Sequence, residues 1–193
     1  MTKRENRQSR RRPFRQSADR ILVVCGGVRT EPDYFEGMKS SYRNPAVKII
    51  VRKAGVSPVE LVELAMSVRD RDNDSFDEVW CVCDVDDFDL TAAVGLAARN
   101  DVRLAVSNPC FEVWLLLHFE ECMAAMTGYE QLRRRLAKDI PDYDKDPGPF
   151  ARLRPGVGLA IERAQALAPP GTEHERNPAT GVWVLATKFE RPK

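Results

Sequence analysis

A chain of 193 residues with 43% hydrophobic side chains is long enough for one domain with an appendage, and it can bury a core without disulfides. No apolar run approaches the ~20 residues of a membrane span, and the Arg-rich N-terminus has no hydrophobic segment, so neither a membrane protein nor a secretory signal is expected. The net charge of +1 is unevenly spread: residues 1–20 carry eight basic side chains against Glu5 and Asp19, a net of +6, which leaves −5 for the rest.

Residues 1–19 are therefore expected to be a disordered basic arm, too polar to pack. Contact with the phosphate backbone of nucleic acid is its functional reading; a solubilising tail is the plain alternative. Arg20-Ile-Leu-Val-Val-Cys25, stopped by Gly26-Gly27, reads as a buried strand ending in a tight turn. Thr30 then starts a helix as its N-cap, with Tyr34, Phe35 and Met38 on one face. Val47–Val51 is a second strand. Ser57-Pro58 opens a helix that runs to about Arg69, with Ser57 as N-cap and Pro58 near the first helical position. Glu78–Cys83 is the third strand, followed by an acidic turn and a helix from about Leu90 to Arg99. Val102–Val106 is the fourth strand, and a helix follows from Phe111 to about Glu120.

Four strands alternating with helices predict an α/β fold: a doubly wound, parallel, four-stranded sheet flanked by helices. The first and third strands are expected to be neighbours. After Thr127 the pattern becomes a mostly helical extension. It comprises a polar helix from Tyr129 to Lys138, a Pro- and Asp-rich loop from Pro141 to Pro155, and a helix from Val157 to Leu167. Residues 179–190 fit strand and helix equally well. The expected division is 1–19 as arm, 20–127 as α/β domain, and 128–193 as an accessory region packed on that domain.

The richest chemistry sits in Val79-Trp-Cys-Val-Cys-Asp-Val-Asp-Asp87. An apolar strand ends in carboxylates, and alternation puts Asp84 and Asp86 on one face. Open α/β sheets bind their ligands at the C-terminal ends of strands. Two convergent carboxylates there suit Mg²⁺ or Mn²⁺. The plain alternative is that these acids end a strand and cap the next helix. Gly26, Gly27, Arg29 and Glu31 follow strand one, and Glu112 lies one turn into the helix after strand four, so the same edge collects them all. Gly26 and Gly27 supply backbone N–H groups that can face a phosphate, and Arg29 is read as a phosphate clamp or an exposed charge. Glu112 is read as a site residue or as an acid favoured by its place in a first helical turn. His118, at an apolar helix end, reads as a core histidine before a ligand. Five cysteines, an odd count, read as small buried hydrophobes in a reducing cytoplasm. Zinc on Cys81 and Cys83 would need paired partners, and only His118 and His174 are present.

Five stretches together resemble the RloB-like branch of Toprim-related proteins found in bacterial phage-defence (abortive infection) loci. They are Ile21-Leu-Val-Val-Cys-Gly-Gly-Val-Arg-Thr-Glu-Pro-Asp-Tyr-Phe35, Val79–Asp87, Ser107-Asn-Pro-Cys-Phe-Glu-Val-Trp-Leu-Leu-Leu-His-Phe119, Tyr143-Asp-Lys145 and Asn177-Pro-Ala-Thr180. The resemblance implies a Toprim fold and metal-dependent phosphodiester chemistry on DNA or RNA, tRNA included. It makes Asp84 and Asp86 the metal ligands and Lys145 a phosphate contact, and it brings a neighbouring ABC/AAA-type ATPase as a partner. The family's usual glutamate would follow Cys25, where this chain has Gly26. Either Glu31, Glu36 or Glu112 takes its role, or the chain has kept binding without hydrolysis. A glutamate restored at position 26 is expected to face Asp84 and Asp86.

Overall fold

The computed structural model describes residues 20–45, 47–51, 56–72, 76–85 and 90–189. The basic arm and Asp86 and Asp87 of the acidic turn lie outside these residues. Four strands run parallel: β1 (Ile21–Cys25), β2 (Val47–Val51), β3 (Glu78–Asp84) and β4 (Arg103–Asn108). β1 pairs with β3, from Ile21 opposite Glu78 to Cys25 opposite Val82, as the strand pattern predicts. The expected count of four is corrected to five by β5 (Ala179–Thr180), which pairs antiparallel with β4 and sets Thr180 opposite Ser107. The sheet order is β2-β1-β3-β4-β5. Two residues are too few to show a period of two, so the sequence could not announce this strand. A hydrogen bond between the Ser107 and Thr180 hydroxyls, 2.9 Å, fixes it to the sheet.

Because side chains alternate along a strand, the sheet has two apolar faces. Leu22, Val24, Val79, Cys81 and Cys83 face α2 (Pro58–Arg71) and α3 (Thr91–Arg99). Val23, Cys25, Trp80, Val82 and Ala105 face the opposite way. They share one core with α1 (Thr30–Tyr42), α4 (Glu112–Leu117), α5 (Tyr129–Leu136), α6 (Phe150–Leu153), α7 (Val157–Leu167) and α8 (Val182–Thr187). Both faces are covered, as near-continuous apolar strands require. The C-terminal segment contributes a strand to the sheet and Leu132, Leu136, Val157, Leu185 and Phe189 to this second core.

Local chemistry explains most element ends. Ser57 forms a capping box: its Oγ accepts from the Glu60 N–H at 3.3 Å, and its own N–H donates to Glu60 Oε2 at 2.7 Å. Thr30 does not cap α1, whose N-cap position is Arg29. The Thr30 hydroxyl donates instead to the Lys145 carbonyl, 2.9 Å away, a long-range tether that outcompetes the local cap. α4 stops at Leu117, short of the expected Glu120, and the Arg163 guanidinium caps the Leu117 carbonyl at 2.6 Å. α6 lies inside the stretch expected to be a loop, where Phe150 and Leu153 are drawn into the core. Asn177 ties the segment after α4 to the C-terminal strand: its side-chain amide donates to the Met126 carbonyl and accepts from the Met126 N–H, both at 2.8 Å.

His118 is a core residue. Its Nδ1 donates to the Trp114 carbonyl, 2.9 Å, which leaves Nε2 to accept from the Tyr34 hydroxyl at 3.1 Å. Burial holds its pKa down at about 4, so the ring is neutral. All five cysteines are free thiols and buried. Among the described residues, no helix is long and apolar enough to cross a membrane.

Candidate active site

The C-terminal edge of the parallel strands opens into a cavity of about 340 Å³. Gly26, Gly27, Arg29, Glu31, Asp84, Glu112 and Lys145 all line it. Each is a residue singled out in the sequence, and four separate segments deliver them. The turn after β1 carries the glycines and Arg29, while Glu31 sits in the first turn of α1. Asp84 closes β3, two residues beyond Val82 on the face that carries α1 and α4. Glu112 opens α4, and Lys145 arrives on the loop between α5 and α6. Glu36 is not part of the cavity; it is exposed on α1 and pairs with Lys39 at 3.6 Å. Asp86 lies outside the described residues.

The glycine turn works differently from a phosphate-cradling loop. The Gly26 N–H donates to the Val82 carbonyl, 2.9 Å, extending the ladder between β1 and β3. The Glu31 carboxylate folds back onto the turn and accepts from the N–H groups of Gly27 and of Glu31 itself. A Cβ at Gly27 would overlap that carboxylate, so glycine here makes room for Glu31. With both glycine N–H groups engaged, the anion-binding capacity of the rim lies in Arg29 and Lys145. A Cβ at Gly26 would stand 3.5 Å from Leu61 Cδ2, on the α2 side of the sheet. A side chain at position 26 would therefore set out from the α2 side of the cavity that Gly26 and Asp84 both line. Glu31, on the α1 side, shares its face with Asp84.

Three carboxylates with few cations nearby shape the electrostatics. Glu31 is buried and Glu112 is buried. Burial, and then the charge of Glu112, push the Glu31 carboxyl up to about 7, against the hydrogen bonds from the Glu31 and Gly27 backbone and the charge of Lys145. Glu112 instead receives a hydrogen bond from the Tyr143 hydroxyl at 2.8 Å. A carboxyl held at about 7 can exchange a proton near neutral pH, so Glu31 is the group of this cavity suited to proton transfer. Cys83 and Cys110 also line the cavity. Burial raises both thiols far above their ordinary range, with Glu112 adding to the effect at Cys110. They are protonated and poor nucleophiles.

The rim is tied down by the loop that carries Lys145. Asp146 pairs with Arg29 at 3.0 Å, and Thr30 holds the Lys145 carbonyl. The Lys145 ammonium rests 5.1 Å from the ring centre of Tyr129, which also lines the cavity. The sequence reading missed Tyr129, because an aromatic opening a polar helix carries no motif.

Among the described residues, no group of three or more His, Cys, Asp or Glu is set to hold a metal ion. Mg²⁺ does not require one, since it keeps several waters and takes one or two carboxylates plus substrate phosphates. Asp84 supplies such a carboxylate, and Glu31 and Glu112 are further hard oxygen donors lining the same cavity, so the residues present fit a hydrated Mg²⁺.

No curated protein and no solved structure matches this chain. The family model described as RloB-like protein matches residues 21–188, from the first residue of β1 to the end of the last helix. With a match over that length, the chain belongs to the RloB-like family.

Proposed function

We propose that this protein is a Mg²⁺-dependent phosphodiesterase of the Toprim type, acting on DNA or RNA in bacterial defence against phage. The observation that carries the reading is the gathering of Glu31, Asp84 and Glu112 around one cavity with Arg29 and Lys145 at its rim. When bound, Mg²⁺ supplies Lewis-acid polarisation of a phosphoryl oxygen. Asp84 would hold it, together with Asp86 as the sequence reading has it. Arg29 and Lys145 bind and orient the phosphate through charge-assisted hydrogen bonds. Glu31 moves a proton, since a carboxyl titrating at about 7 is matched to general acid–base work at neutral pH. Tyr143 holds Glu112 in place through its hydroxyl.

The test is a cleavage assay with Mg²⁺ or Mn²⁺ on DNA, total RNA and tRNA, with and without the neighbouring ABC/AAA-type ATPase. Cleavage that vanishes in Glu31→Gln and Asp84→Ala supports the reading. Metal-dependent cleavage unchanged by either substitution contradicts it. A second reading is favoured by Gly26, which stands where the family's usual glutamate would be. The chain would then be a catalytically silent subunit that binds nucleic acid or the ATPase. Specific binding without cleavage of any substrate, the ATPase present, would select it.

A further inference from the structure

The cavity is chemically divided. Carboxylates make its floor, Arg29 one side of its mouth, and Val56, Pro58 and Leu61 an apolar wall. Tyr129, the first residue of α5, stands half-buried at the mouth. Part of its ring packs against the main core and part lines the cavity. Its hydroxyl donates to Asp144 at 3.3 Å, which sets the ring's orientation from outside. Lys145 lies over the ring, so one residue pair puts an aromatic ring and a cation together at the mouth.

The cavity, at about 340 Å³, is near the lower end of small-ligand sites. One nucleotide fits such a space; stacked base pairs do not. Enzymes whose pockets are of this kind take single strands or turn one nucleotide out of the stack. An aromatic ring beside a cation is what an unpaired base with its phosphate would use. The base takes the ring, and the ammonium moves from the ring to the phosphate. A paired base offers no free face, so a duplex could satisfy the cation alone.

We propose that Tyr129 is a stacking platform for one unpaired base, and that the cavity therefore selects single-stranded or extruded nucleotides, with the adjoining phosphate held between Lys145 and Arg29. This rests on the nucleic-acid reading above and narrows its substrate class. The experiment is fluorescence anisotropy with a labelled single-stranded oligonucleotide and the same sequence as a duplex, with Ca²⁺ in place of Mg²⁺. Wild type is expected to bind the single strand at least tenfold more tightly than the duplex. Tyr129→Phe keeps the ring and most of that affinity, whereas Tyr129→Ala loses roughly fivefold to hundredfold on the single strand and little on the duplex. Equal or tighter duplex binding by wild type, or single-strand binding unchanged in Tyr129→Ala, would overturn the assignment. If Tyr129→Ala fails to fold, Tyr129→Leu keeps the apolar contact without the π face and is read the same way. Binding of neither form at low salt removes the nucleic-acid reading itself, and the platform falls with it.

Discussion

Glu31 is the residue on which the chemistry of this site turns, and its environment makes one prediction and that of Gly26 a second. Its carboxyl titrates near 4.5 in the unfolded chain and at about 7 in the fold. The folded state therefore holds the proton more tightly than the unfolded one. The stabilisation is fully present below pH 4.5 and is lost as pH rises to about 7. Glu31→Gln should remove this dependence and leave the protein about 2–3 kcal/mol more stable than wild type at pH 8. Urea denaturation at pH 5 and pH 8 measures it; a gain equal at both pH values would count against a raised Glu31. Gly26 makes the second prediction. A side chain there meets the Val82 carbonyl at 3.2 Å and Leu61 at 3.5 Å, on the α2 side. Gly26→Glu should cost about 1–3 kcal/mol through crowding and give no increase in cleavage. A rise in metal-dependent cleavage with the melting temperature unchanged would show that the carboxylate reaches Asp84 after all.

Among the elements, the segment after α4 depends on one amide. Asn177→Ala removes two hydrogen bonds to Met126 and should destabilise the protein by about 1–3 kcal/mol, read as a lower denaturation midpoint. A midpoint unchanged within error would mean that the β5 pairing holds the segment unaided. Elements governed by their own residues were legible in the sequence: the apolar strands, the Ser57 capping box with Pro58, and the helices that carry a stripe. Those governed by distant partners were not. Thr30 reads as a cap until Lys145 arrives to claim its hydroxyl. β5 is a strand only because Ser107 lies opposite Thr180. α6 forms where Phe150 and Leu153 find the core, in a stretch whose prolines and aspartates read as loop. The candidate site was legible to the extent that motifs end strands: Gly26, Gly27, Arg29, Glu31, Asp84 and Glu112 meet because parallel strands share one C-terminal edge. In sequence Glu31 was the first candidate for the missing glutamate, with Glu36 and Glu112 as alternatives. Only the fold separates the two in the cavity from Glu36 outside it. Tyr129 could not be found at all, since its place depends on a loop fifteen residues away that brings Asp144 to it.

At the scale of the whole molecule, charge is divided between a basic arm and an acidic remainder. Deleting residues 1–19 should leave the melting temperature unchanged while lowering affinity for nucleic acid at low salt, with a shallower dependence of affinity on salt. Unchanged affinity and an unchanged slope would reduce the arm to a tail. The rest of the fold, with helices on both sheet faces and the C-terminal segment joined to the sheet edge, leaves the strand ends as the place where chemistry collects. The central claim is that this edge is a divalent-metal site built on Asp84. Calorimetric titration of Mn²⁺ into wild type and Asp84→Ala tests it most directly, because it requires neither the substrate nor turnover. The account predicts saturable binding by wild type and a loss of roughly tenfold or more in the variant, as expected where so few carboxylates hold the ion. Equal affinity in the two proteins would contradict it.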